Sequence, residues 1–127
     1  IIDNNDQILV LVRGSTDPWK PGWWDLPGGL IDRGETPTEG ATREAKEESG
    51  LIVRNLRKVD MKPIGRALKY FFTTRDYDGV VSLQPNPVTG IIEHDEYRWV
   101  TIDELAGFRN SIVPLNIVRK ALNFEQL

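Results

Sequence analysis

Glu44, Glu47 and Glu48 stand at i, i+3 and i+4, so on a helix they share one face. Each like-charge pair at that spacing costs about 0.2–0.5 kcal/mol in water, and desolvation raises the cost. A divalent cation is the direct relief. Oxygen ligands on a rigid helix, with no cysteine in the chain, suit Mg²⁺ or Mn²⁺ rather than zinc. The competing reading is a solvated acidic face balanced by Arg43 and Lys46, with Glu39 and Arg43 as a favourable i, i+4 pair. The stretch upstream bears on that choice. It is a glycine-rich loop, GGLIDRGE from Gly28 to Glu35, feeding the acidic segment directly.

The helix that must carry these acids is marked at both ends. Thr36 is a good N-cap, Pro37 suits the first helical position, and Glu39 completes a capping box. Ser49 and Gly50 close the segment, with Gly50 free to adopt the left-handed C′ conformation. Between them lie about three and a half turns. Thr38, Ala41, Thr42 and Ala45 make a neighbouring small-residue face that lets the helix lie close to a sheet.

The spacing of loop and helix together resembles the Nudix box, G-x5-E-x7-R-E-U-x-E-E-x-G-U, where U is a bulky aliphatic residue. Gly29, Glu35, Arg43, Glu44, Glu47, Glu48, Gly50 and Leu51 match. Ala45 is small where the pattern asks for bulk, a matter of packing rather than ligation. The resemblance extends to Trp24-Asp25-Leu26-Pro27 before the box and Trp99-Val100 after it. It implies metal ligation by Glu44, Glu47, Glu48 and the Gly28 carbonyl, with Glu44 also serving as a base in some members. It implies a buried Glu35–Arg43 ion pair that orients the loop against the helix. A further ligand or general base is expected six residues before Trp99, where Glu93 stands.

The implied activity is metal-dependent hydrolysis of a nucleoside diphosphate linked to a group X. The products are a nucleoside monophosphate and phosphoryl-X. The catalytic set is then Glu44, Glu47 and Glu93, and the cofactor Mg²⁺ (or Mn²⁺). Nucleotide sugars, oxidised or ordinary nucleoside triphosphates, ADP-ribose and dinucleoside polyphosphates fit as substrates, and His94 beside Glu93 leans the reading toward nucleotide sugars. The alternative is a non-catalytic Nudix-fold sensor that binds a nucleotide and regulates a partner. Such domains commonly have a degraded acidic set, and here the set is complete.

Other candidates lie outside the helix. His94 is the single histidine and titrates near neutrality, although a histidine in a polar loop is more often solvated. Arg13, Arg33, Lys62, Arg66, Lys69 and Arg98 are candidate phosphate contacts. Trp19 and Trp23 could stack a base, whereas Trp24 and Trp99 sit at strand positions and are expected in the core.

The 127 residues fit one domain, 1–127, long enough to bury a real core. A hydrophobic share of 39% and a mean hydropathy of −0.37 fit a globular protein. Net charge is −3 and the pI about 5.2, so bulk attraction for nucleic-acid polymers or anionic membranes is not expected. The absence of cysteine excludes disulfides and thiolate chemistry and is compatible with a reducing, cytoplasmic compartment. No apolar run approaches bilayer length. The sequence begins at Ile1 rather than Met, and an incomplete N-terminus is expected. Nudix proteins are often dimers, so a homodimer is compatible with the resemblance.

Strands are expected over 7–13, 24–26, 30–31, 51–56, 59–61, 67–74 and 97–101. Residues 80–83 are expected to pair back after a turn at 76–79. A short capped helical turn follows Thr101, and an amphipathic helix spans 111–124 with Pro114 inside its first turn. Strands and helices mix without regular βαβ alternation, which points to an α+β domain with helices on both sides of a mixed sheet. The resemblance implies the Nudix α/β/α sandwich, and the two readings agree.

Overall fold

A continuous apolar strand in a layered fold must bury both faces, and β1 (Ile8–Arg13) does so in the computed structural model. Ile8 and Val10 enter one core with Val59, Val100, Leu105, Val113, Ile117, Val118 and Ala121. Leu9 and Leu11 enter a second core with Ala45, Leu51, Val53 and Val81. The alternation is the period of a strand expressed as two separate cores. The structure describes residues 1–124.

β1 lies between β2 (Trp24–Asp25) and β7 (His94–Val100), antiparallel to both. Ile8 faces Val100, Leu11 faces Tyr97, and the register slips between Val12 and Arg13 so that Arg13 faces His94. Helix α1 (Pro37–Ser49) covers the second core. Helices α2 (Ile102–Ala106) and α3 (Leu115–Phe124) contribute Leu105, Ile117, Val118 and Ala121 to the first. This is the expected sandwich. The ladders are antiparallel, and parallel pairing among the described residues is an isolated bridge from Trp24 to Ser111.

The remaining strands form a long hairpin in two segments. β3 (Ile52–Arg54) pairs with β6 (Asp76–Asp78), and β4 (Arg57–Ile64) with β5 (Ala67–Thr73). Asn55 interrupts it at φ 54, and Thr74 Oγ1 donates to the Arg54 carbonyl where the ladder lapses. Val53 and Tyr77 therefore serve the second core, while Val59 and Phe71 serve the first. Tyr77 stacks on Trp99 at 5.6 Å and Trp24 on Phe108 at 5.0 Å, so both strand tryptophans pack inside as expected.

The local signals of α1 are all present. Thr36 Oγ1 accepts from the Glu39 N–H at 3.1 Å, and the Glu39 carboxylate accepts from the Thr36 N–H at 2.9 Å. Gly50 adopts φ 76 and donates to the Lys46 carbonyl at 2.9 Å. A Cβ there would also stand 3.3 Å from the Ser82 carbonyl. Gly50→Ala is therefore expected to cost about 1–2 kcal/mol from the left-handed backbone alone, read as a lower melting temperature.

Several expectations change. Residues 30–31 form no strand. Leu30 is exposed, its carbonyl accepts from Arg43, and the neighbouring Asp32 N–H goes to Glu35. Side chains, not a neighbouring strand, satisfy that backbone. Residues 80–83 do not pair back; the Ser82 N–H reaches Ser49 at the end of α1, while 76–78, expected as a turn, are strand β6. α1 packs closely through Gly40, against Ile31 and Glu35, and through Ala45 and Ser49, with Thr38 exposed. Pro114 precedes α3, its carbonyl accepting from Ile117 and Val118 at 3.1 Å. β7 begins at His94 rather than Tyr97. In α3, Ile117, Val118 and Ala121 are buried as the periodicity requires; the side chain at 124 lies outside the described set. No described helix is long and apolar enough to cross a membrane.

Candidate active site

The acids of α1 differ in environment although they share one face. Glu48 is buried. Its Oε1 accepts the Gly28 N–H at 2.6 Å, and its Oε2 lies 3.4 Å from His94 Nδ1. Burial pushes the Glu48 carboxyl up to about 8. The Gly28 hydrogen bond opposes that, and the charges of Glu44, Glu93 and Asp25 add to it. Burial likewise raises Glu44, reinforced by Glu47 and Glu93 and opposed by Arg43. Burial lowers His94, so imidazole and carboxylic acid both favour their neutral forms.

Arg43 joins the loop to the helix. Its Nε and Nη2 form a fork on Glu35 at 2.7 and 3.0 Å, and Nη2 also donates to the Leu30 carbonyl at 2.9 Å. Nη1 reaches Glu44 and Glu47, each at 3.0 Å. One edge of the guanidinium thus holds the glycine-rich loop and the other holds two of the helix acids. The Glu35–Arg43 pair implied by the resemblance is formed, but it is half-exposed rather than buried. Hydrogen bonding to Glu35 is the largest influence raising Arg43.

Gly29 is packed directly on this constellation. A Cβ at that position would lie 2.6 Å from the Glu44 carboxylate. The carboxylate ends a flexible side chain and could yield, so the cost should appear in geometry rather than stability. Gly29→Ala is expected to lower turnover by about 10–100-fold, since a displacement near 1 Å at a reacting centre has that scale. Melting should move by no more than a few degrees. Steady-state kinetics beside a thermal melt checks both halves.

One cleft gathers Glu44, Glu47, Glu48, Glu93 and His94, and its remaining wall is Leu83, Gln84, Asn86 and Ile92. His94 is buried in β7, not solvated in a loop, because the strand begins earlier than expected. Gly28 takes part through its N–H, donated to Glu48. Arg13, Trp19 and Trp23 are not among the lining residues. Arg13 is committed to Asp17, Asp25 and the Trp19 carbonyl, at 2.8, 3.1 and 2.9 Å. Lys20 lies over Trp23 at 4.0 Å and over Trp19 at 5.8 Å, so the chain's own cations occupy ring faces proposed for a base. Asp25 acts by its charge on Glu48 and His94, a role the stretch before the box does not reveal, and the wall residues Gln84, Asn86 and Ile92 carry no sequence signal that singles them out.

No three His, Asp or Glu side chains among the described residues converge as a ready cation cage. Arg43 holds Glu44 and Glu47, and Gly28 holds Glu48. The donor set nevertheless fits a hard cation. It is carboxylate oxygen in a partly desolvated cleft, and the like charges of Glu44, Glu48 and Glu93 act on one another.

The family model for the NUDIX domain matches residues 1–119. A CMP-5'-(N-acetyl-N-hydroxy-3-aminopropyl)phosphonate hydrolase from Streptomyces rubellomurinus is 36% identical over 112 residues, 86% of this chain and 52% of that protein. An ADP-ribose pyrophosphatase from Methanocaldococcus jannaschii is 40% identical over 78 residues, 57% of this chain and 45% of that protein. The chain thus spans about half the length of these curated relatives. Among solved structures, an ADP-ribose pyrophosphatase from Streptococcus suis superposes with a TM-score of 0.73. It does so at 24% identity, covering 98% of this chain and 86% of that one, and shows the shared fold. A match that starts at the first residue and runs through the glycine-rich loop, the capped acidic helix and β7 leaves one assignment: the chain belongs to the NUDIX domain family.

Proposed function

We propose that this chain is a divalent-metal-dependent pyrophosphohydrolase. It splits a nucleoside diphosphate linked to a group X into a nucleoside monophosphate and phosphoryl-X. The observation that carries the reading is the gathering of Glu44, Glu47, Glu48 and Glu93 at one cleft, two of them desolvated against their own ionisation. A site that is costly without a cation is suited to one. Glu44, Glu47, Glu48, Glu93 and the Gly28 backbone would hold Mg²⁺ or Mn²⁺. That ion, when bound, neutralises phosphate oxygens and acidifies water.

The chain's own groups do the rest. Arg43 keeps Glu44 and Glu47 aligned through one nitrogen while its other edge fixes the loop. His94 walls Glu48 from solvent. Glu93 stands exposed at the cleft, where it can hold a water and take its proton. Relatives named for a CMP-linked phosphonate and for ADP-ribose share a nucleotide carrying a second group, which supports the same substrate class here. His94 lines the cleft but is buried against Glu48.

The test is a panel of nucleoside diphosphate derivatives with Mg²⁺ or Mn²⁺, followed by phosphatase and measurement of released phosphate. Metal-dependent release from at least one compound, abolished by EDTA, is expected. Saturable nucleotide binding without turnover would establish the sensor instead.

A further inference from the structure

Glu93 is gripped at two points, and one grip comes from a loop that has no role in the reading above. Its carbonyl accepts the Gly14 N–H at 2.8 Å. A Cβ on Gly14 would lie 3.0 Å from that oxygen, so the close approach depends on glycine. Its carboxylate accepts from Asn86 Nδ2 at 2.9 Å. Asn86 is also the hub of loop 84–92. Its Oδ1 accepts from the Val88 and Thr89 N–H groups at 2.8 and 3.1 Å. Its backbone N–H donates to Ile91, and its carbonyl accepts from Gly90, both at 2.8 Å. The loop closes through a bridge between Pro85 and Ile92.

The orientation of the amide follows from this network. Two backbone donors face Oδ1, so the NH₂ end must point at Glu93. Loop 84–92 therefore presents to a cleft of carboxylates a neutral donor, which steadies an acid without neutralising it.

We infer that Asn86 is a positioning residue for Glu93, setting the direction in which that carboxylate meets the reacting water. The proposal rests on the hydrolase reading and adds to it a residue outside the Nudix box. Asn86→Asp is the sharpest probe. It keeps an oxygen for the Val88 and Thr89 N–H groups, so the loop retains its staple. It replaces the donor facing Glu93 by a like charge.

The expected result is a 10–100-fold fall in kcat, the scale of losing a residue that orients a functional group. KM should stay within about threefold, since ground-state binding is not at stake. The discriminating readout is a double-mutant cycle with Glu93→Gln. If Asn86 acts through Glu93, adding Asn86→Asp to Glu93→Gln costs less than about twofold further, because the new amide at position 93 can donate to the new carboxylate at position 86. Should Asn86→Asp melt early, Asn86→Ser in both backgrounds supplies the coupling, since its hydroxyl oxygen can still accept from the Val88 and Thr89 N–H groups while being too short to reach Glu93. Wild-type kcat in Asn86→Asp, or losses that simply multiply, overturns the proposal while leaving the hydrolase reading standing. A wild-type protein that turns over no member of the panel overturns both.

Discussion

Glu47→Gln is expected to lower turnover by about 10²–10³-fold, the scale seen when one preorganised electrostatic group is removed from a reacting centre. The fold should be untouched. Glu47 is half-exposed, and Arg43 Nη1 is its partner at 3.0 Å. A glutamine keeps an oxygen for that nitrogen and nearly the same volume, so only the charge is lost. Arg43 also retains Glu35 and Glu44, leaving no buried cation without a partner. The change in melting temperature should stay within about 2 °C. The check is kcat at saturating Mg²⁺ beside a thermal melt of the same sample. Near wild-type turnover would remove Glu47 from the site, and a large loss of stability would make its role structural.

Glu48→Gln should separate function from stability in the opposite sense. The Glu48 carboxyl is held at about 8 by burial, against an ordinary value of 4.5. A carboxyl raised in the folded state favours folding fully only below its unfolded value. That contribution disappears as pH climbs from about 4.5 through about 8. Each unit is worth about 1.4 kcal/mol, so metal-free wild type should lose several kcal/mol across that window. Glutamine has no charge to bury and can still accept the Gly28 N–H. In EDTA, the variant should match wild type near pH 5 and exceed it by about 2–4 kcal/mol near pH 8. Urea unfolding at the two pH values reads this directly. Turnover should fall by at least about 10²-fold in the same variant. Parallel stability profiles for the two proteins would show that the carboxylate is not strained by its burial.

Both predictions turn on a division between short-range and long-range information. The boundaries of α1 were legible because caps act within four residues. Thr36, Glu39 and Gly50 satisfy or terminate the helix by bonds that the local chain itself can make. The common face of Glu44, Glu47 and Glu48 follows from helical pitch alone. The double burial of β1 was legible as an unbroken apolar run, and the tryptophans at 24 and 99 as strand residues.

Residues 30–31 misled because a strand pattern says nothing of whether a partner strand is near; Arg43 and Glu35 capture that backbone instead. His94 misled because its neighbours in sequence are polar, while its neighbours in space are a buried glutamate and the end of β1. Helical pitch and local capping thus settle which acids lie together and where their helix starts and stops. Which acid is desolvated, which is held by Arg43 and which faces the cleft beside Asn86 depends on contacts made across the fold. Electrostatic character belongs to surroundings, and here those surroundings come from β7 and loop 84–92, far along the chain from the acids they face.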